Sequence, residues 1–182
     1  MSLPEFARWP SIQRLSSETV YITEKIDGTN AVIHVAEDGT VTPGSRERWL
    51  LPKQPDNFGF GEWVRQYADV LRQLGPGYHY GEWHGAGIQR KYGQTVRRFA
   101  SFEFWRDDLP SLITKVPLLY EGPWKPSLLD EYVTSLAASG SVLYPGFMDP
   151  EGIVITFKNM RSAKFKKLCK NDQLTRKEKH NA

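Results

Sequence analysis

Cysteine is almost absent from the 182 residues: Cys169 stands alone. One thiol closes no internal disulfide and builds no multi-cysteine metal site, so neither can hold this chain together. Histidine is scarce too, and His34, His79, His84 and His180 fall in no metal-ligand spacing. No run of eighteen apolar residues occurs, which excludes a membrane-spanning helix. The first ten residues, MSLPEFARWP, hold no apolar core of a secretory leader, and the expected location is the cytoplasm. Repeats, low-complexity runs and domain linkers are missing as well. What is present is a globular balance, 40% hydrophobic and 25% charged, too apolar for a disordered chain and long enough for one core.

The net charge of +3 is unevenly placed. Residues 158–182 hold nine Lys or Arg against two Asp or Glu, while residues 1–157 hold fifteen against nineteen. A basic end on a mildly acidic body suits a polyanionic partner. The same composition also describes a solvated tail.

Strand-like residues run from Thr19 to Val35 around Asp27-Gly28, and Asp38-Gly39 precedes a short run over Thr40–Pro43. Two strands about an Asp-Gly turn predict a hairpin. Arg46–Phe60, rich in Pro, Gly and Asn, reads as a long loop. Phe60, Trp63, Val64, Tyr67, Ala68, Leu71 and Leu74 recur at helical spacing, with Asp56 or Asn57 as cap and Gly75-Pro76 as stop. Aromatic-rich strands are expected at Tyr78–Trp83 and Phe99–Trp105, on either side of a Gly-rich basic stretch, Gly85–Arg98. Short strands follow at Val116–Tyr120 and Ile153–Phe157, and a second helix over Ser127–Ala138 with Ser127 as cap and Asp130 three residues on. Many short strands and two helices predict an α+β domain of antiparallel sheets flanked by helices.

Several segments carry chemistry-bearing residues. Lys25 stands at a strand end two residues before Asp27-Gly28. Alone, such a lysine reads equally as a solvated turn residue. Gly81-Glu82-Trp83 sets a carboxylate on a strand between small and bulky neighbours. Phe102-Glu103-Phe104 surrounds another with aromatics, and Glu151-Gly152 opens an apolar strand. Lys164 and Lys166 face one way if residues 164–166 are extended. Each segment taken singly also fits an ordinary strand or edge.

Together and in this order, residues 25–28, 82, 102–103, 151–152 and 164–166 resemble the covalent nucleotidyltransferase superfamily of DNA ligases, RNA ligases and mRNA capping enzymes. The pattern is a Lys-x-Asp-Gly nucleophile motif, a strand Glu, an aromatic-acid strand, a Glu-Gly pair and a closing Lys-x-Lys. The resemblance spans roughly residues 10–167. Within it, Glu24-Lys25 followed by Gly28-Thr29-Asn30, and the segment GEWHGAGIQ over residues 81–89, are similar to the phage RNA ligase 2 and RNA-editing ligase group. Ser11-Ile12 is a weaker similarity. That group often has His where this chain has Asp27, the commoner superfamily residue.

The resemblance implies an ATP-grasp-like ligase adenylation domain over residues 1–167 and a basic tail over 168–182, with no OB-fold or helical clamp. It implies an ATP-dependent RNA ligase with Mg²⁺ or Mn²⁺. Lys25 would attack the α-phosphate to give lysyl-AMP, with Asp27, Lys164 and Lys166 assisting. Glu24 by its backbone, Asn30, Glu82 at the ribose, Phe102 on the adenine, Glu151, Lys164 and Lys166 would hold the nucleotide. Arg46 matches a nucleotide-side arginine only loosely and reads also as a solvated loop residue. Glu151 would bind the cation. RNA ends, possibly in a nicked duplex or as DNA, would be the partners, held by the basic residues of 90–98 and 158–179, with a protein partner supplying any missing grip. The alternatives are a minimal DNA ligase, another polynucleotide nucleotidyltransferase such as a guanylyltransferase, and a catalytically silent nucleic-acid-binding module.

Overall fold

The computed structural model of the chain describes residues 18–170 together with Glu5. Ser11-Ile12 and most of the basic tail lie outside the described residues. In chain order the strands are β1 (Thr19–Lys25), β2 (Thr29–Val35), β3 (Val41–Ser45), β4 (Gly77–Gly85), β5 (Arg97–Ser101), β6 (Ile113–Lys115), β7 (Leu118–Pro123), β8 (Gly152–Phe157) and β9 (Met160–Leu168). The helices are α1 (Phe60–Gln66), α2 (Ala68–Leu71) and α3 (Leu128–Ser139). The strands form two sheets, ordered β7-β1-β8-β9 and β3-β2-β4-β5-β6. Among these strands only β5 and β6 pair in parallel, so the architecture is the expected α+β one of antiparallel sheets.

Alternation along each strand decides which face is covered. On β1, Val20 and Ile22 point with Ile153, Ile155 and Phe157 of β8 into a core closed by Leu128, Val133 and Leu136 of α3. Tyr21, Thr23 and Lys25 point the other way. In the second sheet, Ala31, Ile33 and Val35 of β2, Trp83 of β4 and Phe99 of β5 pack with Phe60, Val64, Leu71 and Leu74. A third cluster gathers Ile26, Tyr92, Ala100 and Val116, joined by Phe102, Tyr144 and Phe147.

The hairpin forms at Asp38-Gly39. There Ala36 N–H donates to Thr40 O, Asp38 accepts from Thr40 N–H at 2.8 Å, and Gly39 adopts a φ of 81°. Asp27-Gly28 makes no hairpin: β1 and β2, on either side of it, belong to different sheets. The helical run from Phe60 is broken at Tyr67 and ends in a 3₁₀ turn, Arg72–Leu74, while its apolar stripe continues across the break. Asp56 does cap it, accepting from Gly61 N–H at 2.8 Å and Glu62 N–H at 3.0 Å. Ser127 precedes α3 in helical φ/ψ and makes no side-chain cap bond; Asp130 turns instead to Lys167 at 2.7 Å. β5 stops at Ser101, so Phe102–Trp105 are not strand, and the short β6 carries too few residues to show in the sequence pattern.

Candidate active site

β1 ends at Lys25 and β2 begins at Thr29, so three residues carry the chain from one sheet to the other. Lys25 therefore stands where the sheets meet. The crossing is tight because Gly28 lies against β4: a Cβ there would fall 2.4 Å from the Trp83 carbonyl oxygen. Asp27 is fixed from two sides. Its N–H donates to the Tyr92 hydroxyl at 2.6 Å, and its carboxylate lies 3.5 Å from the Arg90 guanidinium. The Arg90 guanidinium thus sets a positive charge against the Asp27 carboxylate at the crossing.

Lys25 Nζ donates to Glu151 Oε2 at 2.8 Å, and both side chains are largely withdrawn from solvent, 22% and 14% exposed. A single rung of the sheet closes a sequence separation of 126, since Lys25 pairs with Gly152 across β1 and β8. Glu82 is buried at 7% exposure. Burial pushes its carboxyl up to about 7; Glu151 and Asp27 add to the rise, and Lys25 and the Gly28 N–H work against it. Asn30 Nδ2 donates to Glu82 Oε2 at 3.5 Å, and Arg46 donates to Asn30 Oδ1. The three side chains thus form a line from the loop after β3 to the buried carboxyl. Beside it opens a cleft of about 240 Å³, lined by Asn30, Val32, Arg46, Tyr80, Gly81 and Phe102.

Register sets Lys164 and Lys166 on the same face as Lys25. Tyr21 pairs with Thr156 and that with Lys164; Thr23 pairs with Val154 and that with Lys166. Lys166 is then two residues along and two strands across from Lys25, roughly 12 Å between Cα positions by strand spacing. Glu24 points away. Its side chain, 1% exposed, accepts from Val142 and Leu143 N–H at 2.9 and 3.0 Å, and burial raises its carboxyl above the ordinary range. Its own N–H is taken by Pro117 O at 3.0 Å. Among the described residues, no group of three or more His, Cys, Asp or Glu is arranged to hold a metal ion. A hydrated cation that takes one or two carboxylates and phosphate oxygens needs no such cage, and Glu151, an oxygen donor beside Lys25, fits that demand.

A family model described as RNA ligase matches residues 18–171. The chain belongs to the RNA ligase family. Curated protein sequences give no match. Solved structures do. A Naegleria gruberi RNA ligase variant with ATP and Mn superposes with a TM-score of 0.65 at 18% identity, over 92% of this chain and 53% of that one. A variant with AMP and Mn gives 0.63 at 15% identity, over 85% and 50%. The same ligase with PPi gives 0.63 at 16% identity, over 85% and 50%. At these identities the likeness is one of fold, and this member of the RNA ligase family spans about half the length of those chains.

Several of this ligase-family chain's neighbouring residues were not singled out by the motifs. Arg90, grouped in the sequence with backbone-gripping cations, is tied to Asp27 and lies 3.9 Å from Asp149. Tyr144 shares a 2.6 Å hydrogen bond with His84 Nε2, and burial lowers His84 to about 4. Burial also raises the Tyr92 phenol, which keeps it protonated beside Asp27. The run GIQRKYG over residues 87–93 carried this signal, but only by its place between β4 and β5. Of the other cations assigned to nucleic acid, Lys167 and Lys170 pair with Asp130 and Asp149, at 2.7 and 2.6 Å.

The displaced titration of Glu82 has a measurable consequence. Between about pH 4.5 and 7 the folded protein holds a proton there that the unfolded chain has released, so stability falls as pH rises through that window. The full loss is about 3 kcal/mol at 1.36 kcal/mol per unit. Glu82→Gln is therefore expected to melt above wild type at pH 8 and to converge with it near pH 4.5, as followed by thermal unfolding across pH. Parallel wild-type and variant profiles would remove this assignment.

Proposed function

We propose that this chain is the adenylyltransferase core of an ATP-dependent RNA ligase. The observation that carries the reading is the Lys25–Glu151 pair, standing at the sheet crossing within electrostatic reach of Glu82. Family membership and the fold shared with ligases that carry ATP, AMP and PPi support it.

The first step forms a bond between Lys25 Nζ and the α-phosphorus of ATP and breaks the bond to pyrophosphate. The amine must first release its proton, because an ammonium has no lone pair to attack with. Lys164 and Lys166 would offset the charge growing on the phosphate oxygens. Asp27, held by Arg90 and the Tyr92 hydroxyl, would keep the turn in place. Asn30, Arg46 and Glu82 would meet the sugar and phosphate, with Phe102 stacked on the adenine. Glu24 would act through its backbone and by anchoring residues 142–143. Glu151 would hold Mg²⁺ or Mn²⁺, which when bound would supply charge neutralisation at the phosphates. AMP then passes to an RNA 5′-phosphate, and a 3′-hydroxyl displaces it as the ends join. The work belongs in the cytoplasm, the expected compartment for a chain with one cysteine.

Intact mass tests the first step. After incubation with ATP and Mg²⁺ or Mn²⁺ the protein is expected to gain the mass of AMP, mapped by peptide analysis to Lys25. A gain of GMP from GTP instead would make it a guanylyltransferase. No nucleotide, added or already present, on a folded protein would overturn the enzyme reading. RNA and DNA strands with 5′-phosphate and 3′-hydroxyl ends then separate an RNA ligase from a DNA ligase.

A further inference from the structure

Beyond the cleft, the same face of the second sheet carries aromatic rings where water-facing strands ordinarily carry polar side chains. Tyr78, Tyr80 and Glu82 alternate out of β4 to one side, opposite His34, Val32 and Asn30 of β2. Glu82 and Asn30 belong to the candidate site, and Tyr80 and Val32 line the cleft. His34 and Tyr78 lie outside it. Trp49 folds back from the loop after β3, its backbone bridged to Gly44 and its ring lying where a Gly44 Cβ would meet it at 3.1 Å. The rings are continuous. Tyr80 and Tyr78 are 6.2 Å apart and within 13° of parallel. Tyr78 and Trp49 are 6.3 Å apart and within 29°, and His34 sits 4.4 Å from Tyr78. Tyr78 and Tyr80 are each 54% exposed and Trp49 40%, so this strip is open to a partner.

We propose that the strip is a stacking track for the bases of a single-stranded polynucleotide, an RNA strand whose end lies in the cleft. The proposal rests on the ligase reading above and deepens it. Three observations choose this occupant. The strip is continuous with the cleft through Tyr80, so whatever extends outward from a nucleotide bound there meets aromatic faces next. Ring faces accept any base, which suits an enzyme that joins ends by chemistry rather than sequence. The flanking loop supplies cations: Arg46 lines the cleft and Arg48 adjoins Trp49, against the single carboxylate of Glu47. A duplex would not fit the track, because its bases already stack on one another and offer only their edges.

The test uses the full chain and fluorescein-labelled single-stranded oligo(U), read by anisotropy, with a blunt RNA duplex as comparison. Tyr78→Ala and Trp49→Ala are each expected to weaken single-strand binding about tenfold. Tyr78→Phe and Trp49→Phe, which keep a ring, are expected to stay within about twofold of wild type. Duplex affinity is expected to change little. AMP uptake from ATP, read by intact mass, is expected to be unaltered in all four variants, since neither residue touches the cleft; it also reports that they fold. Equal single-strand affinity of the alanine variants and wild type would overturn the track, as would equal losses for strand and duplex or no single-strand binding by wild type. A wild-type dimer that the alanine variants dissociate, seen by light scattering, would reassign the strip to a second copy of the chain. Failure of wild type to take AMP sinks the ligase reading itself; AMP uptake with ring-independent binding sinks only the track.

Discussion

Lys25→Arg is expected to abolish the AMP adduct, a loss on the order of 10⁴-fold or more, as removal of a covalent nucleophile commonly is. The arginine variant is the informative one. Lys25→Ala also removes the nucleophile, but it leaves the Glu151 carboxylate, 14% exposed, without the ammonium now 2.8 Å away. Part of any loss would then be structural. A guanidinium can keep that ion pair yet stays protonated at every accessible pH, so it cannot attack phosphorus. Lys25→Arg should therefore melt close to wild type while giving no adduct in intact-mass or labelled-ATP assays. Glu151→Gln tests the other half of the pair. It releases the lysine from its counter-ion but withdraws the oxygen charge assigned to the cation, and uptake is expected to fall while remaining detectable at high Mn²⁺. An adduct of undiminished yield on Lys25→Arg would move the nucleophile to another residue and dissolve the site as drawn.

The placement of Lys25, Glu82, Glu151, Lys164 and Lys166 was legible because each occupies a strand or a strand end, where alternation and order along the chain constrain its side. Lys164 and Lys166 are such a case: two residues apart in β9, they necessarily share a face, and register through Thr156 and Val154 sets that face with Lys25. Glu24 shows the converse. As the immediate neighbour of Lys25 it must point to the opposite side of β1, and it there holds residues 142–143. The same alternation could have said so. Asp27-Gly28 misled for a different reason. An Asp-Gly pair marks a turn but not the partner of the strand that leaves it, and here β2 departs to another sheet. Arg90 and Tyr92 were illegible because their roles depend on a loop folding under the crossing, with positive φ at Lys91 and Tyr92, a path no local pattern specifies. The long helix from Phe60 was right in its apolar face and wrong in its continuity, since spacing reports burial and not unbroken hydrogen bonding.

Gly28→Ala is expected to damage stability and chemistry together. The added Cβ would lie 2.4 Å from Trp83 O, 2.9 Å from His84 Cβ and 3.0 Å from Glu82 Cγ. None of these can yield cheaply: Trp83 sits mid-sheet between Thr29 and Phe99, and His84 is fully buried. The crossing loop must retreat from β4 instead, at a cost of about 3 kcal/mol, the upper end for overpacking. Retreat also carries Lys25 away from the line of Asn30 and Glu82, and a shift of about 1 Å in a reacting group can cost 10²-fold in rate. Gly28 N–H is one of the two influences holding the Glu82 titration down, so its withdrawal should move that titration further upward, and the pH dependence of adduct formation with it. Gly39→Asn supplies the contrast. Gly39 has a φ of 81° and only the Arg72 side chain near its Cβ position, at 3.6 Å. Asn tolerates that conformation, so the variant should melt near wild type and take AMP at the wild-type rate. Thermal melting, single-turnover adduct formation and its pH profile measure all three effects for Gly28→Ala. Wild-type behaviour in them would mean that the close approach to β4 does not position the nucleophile.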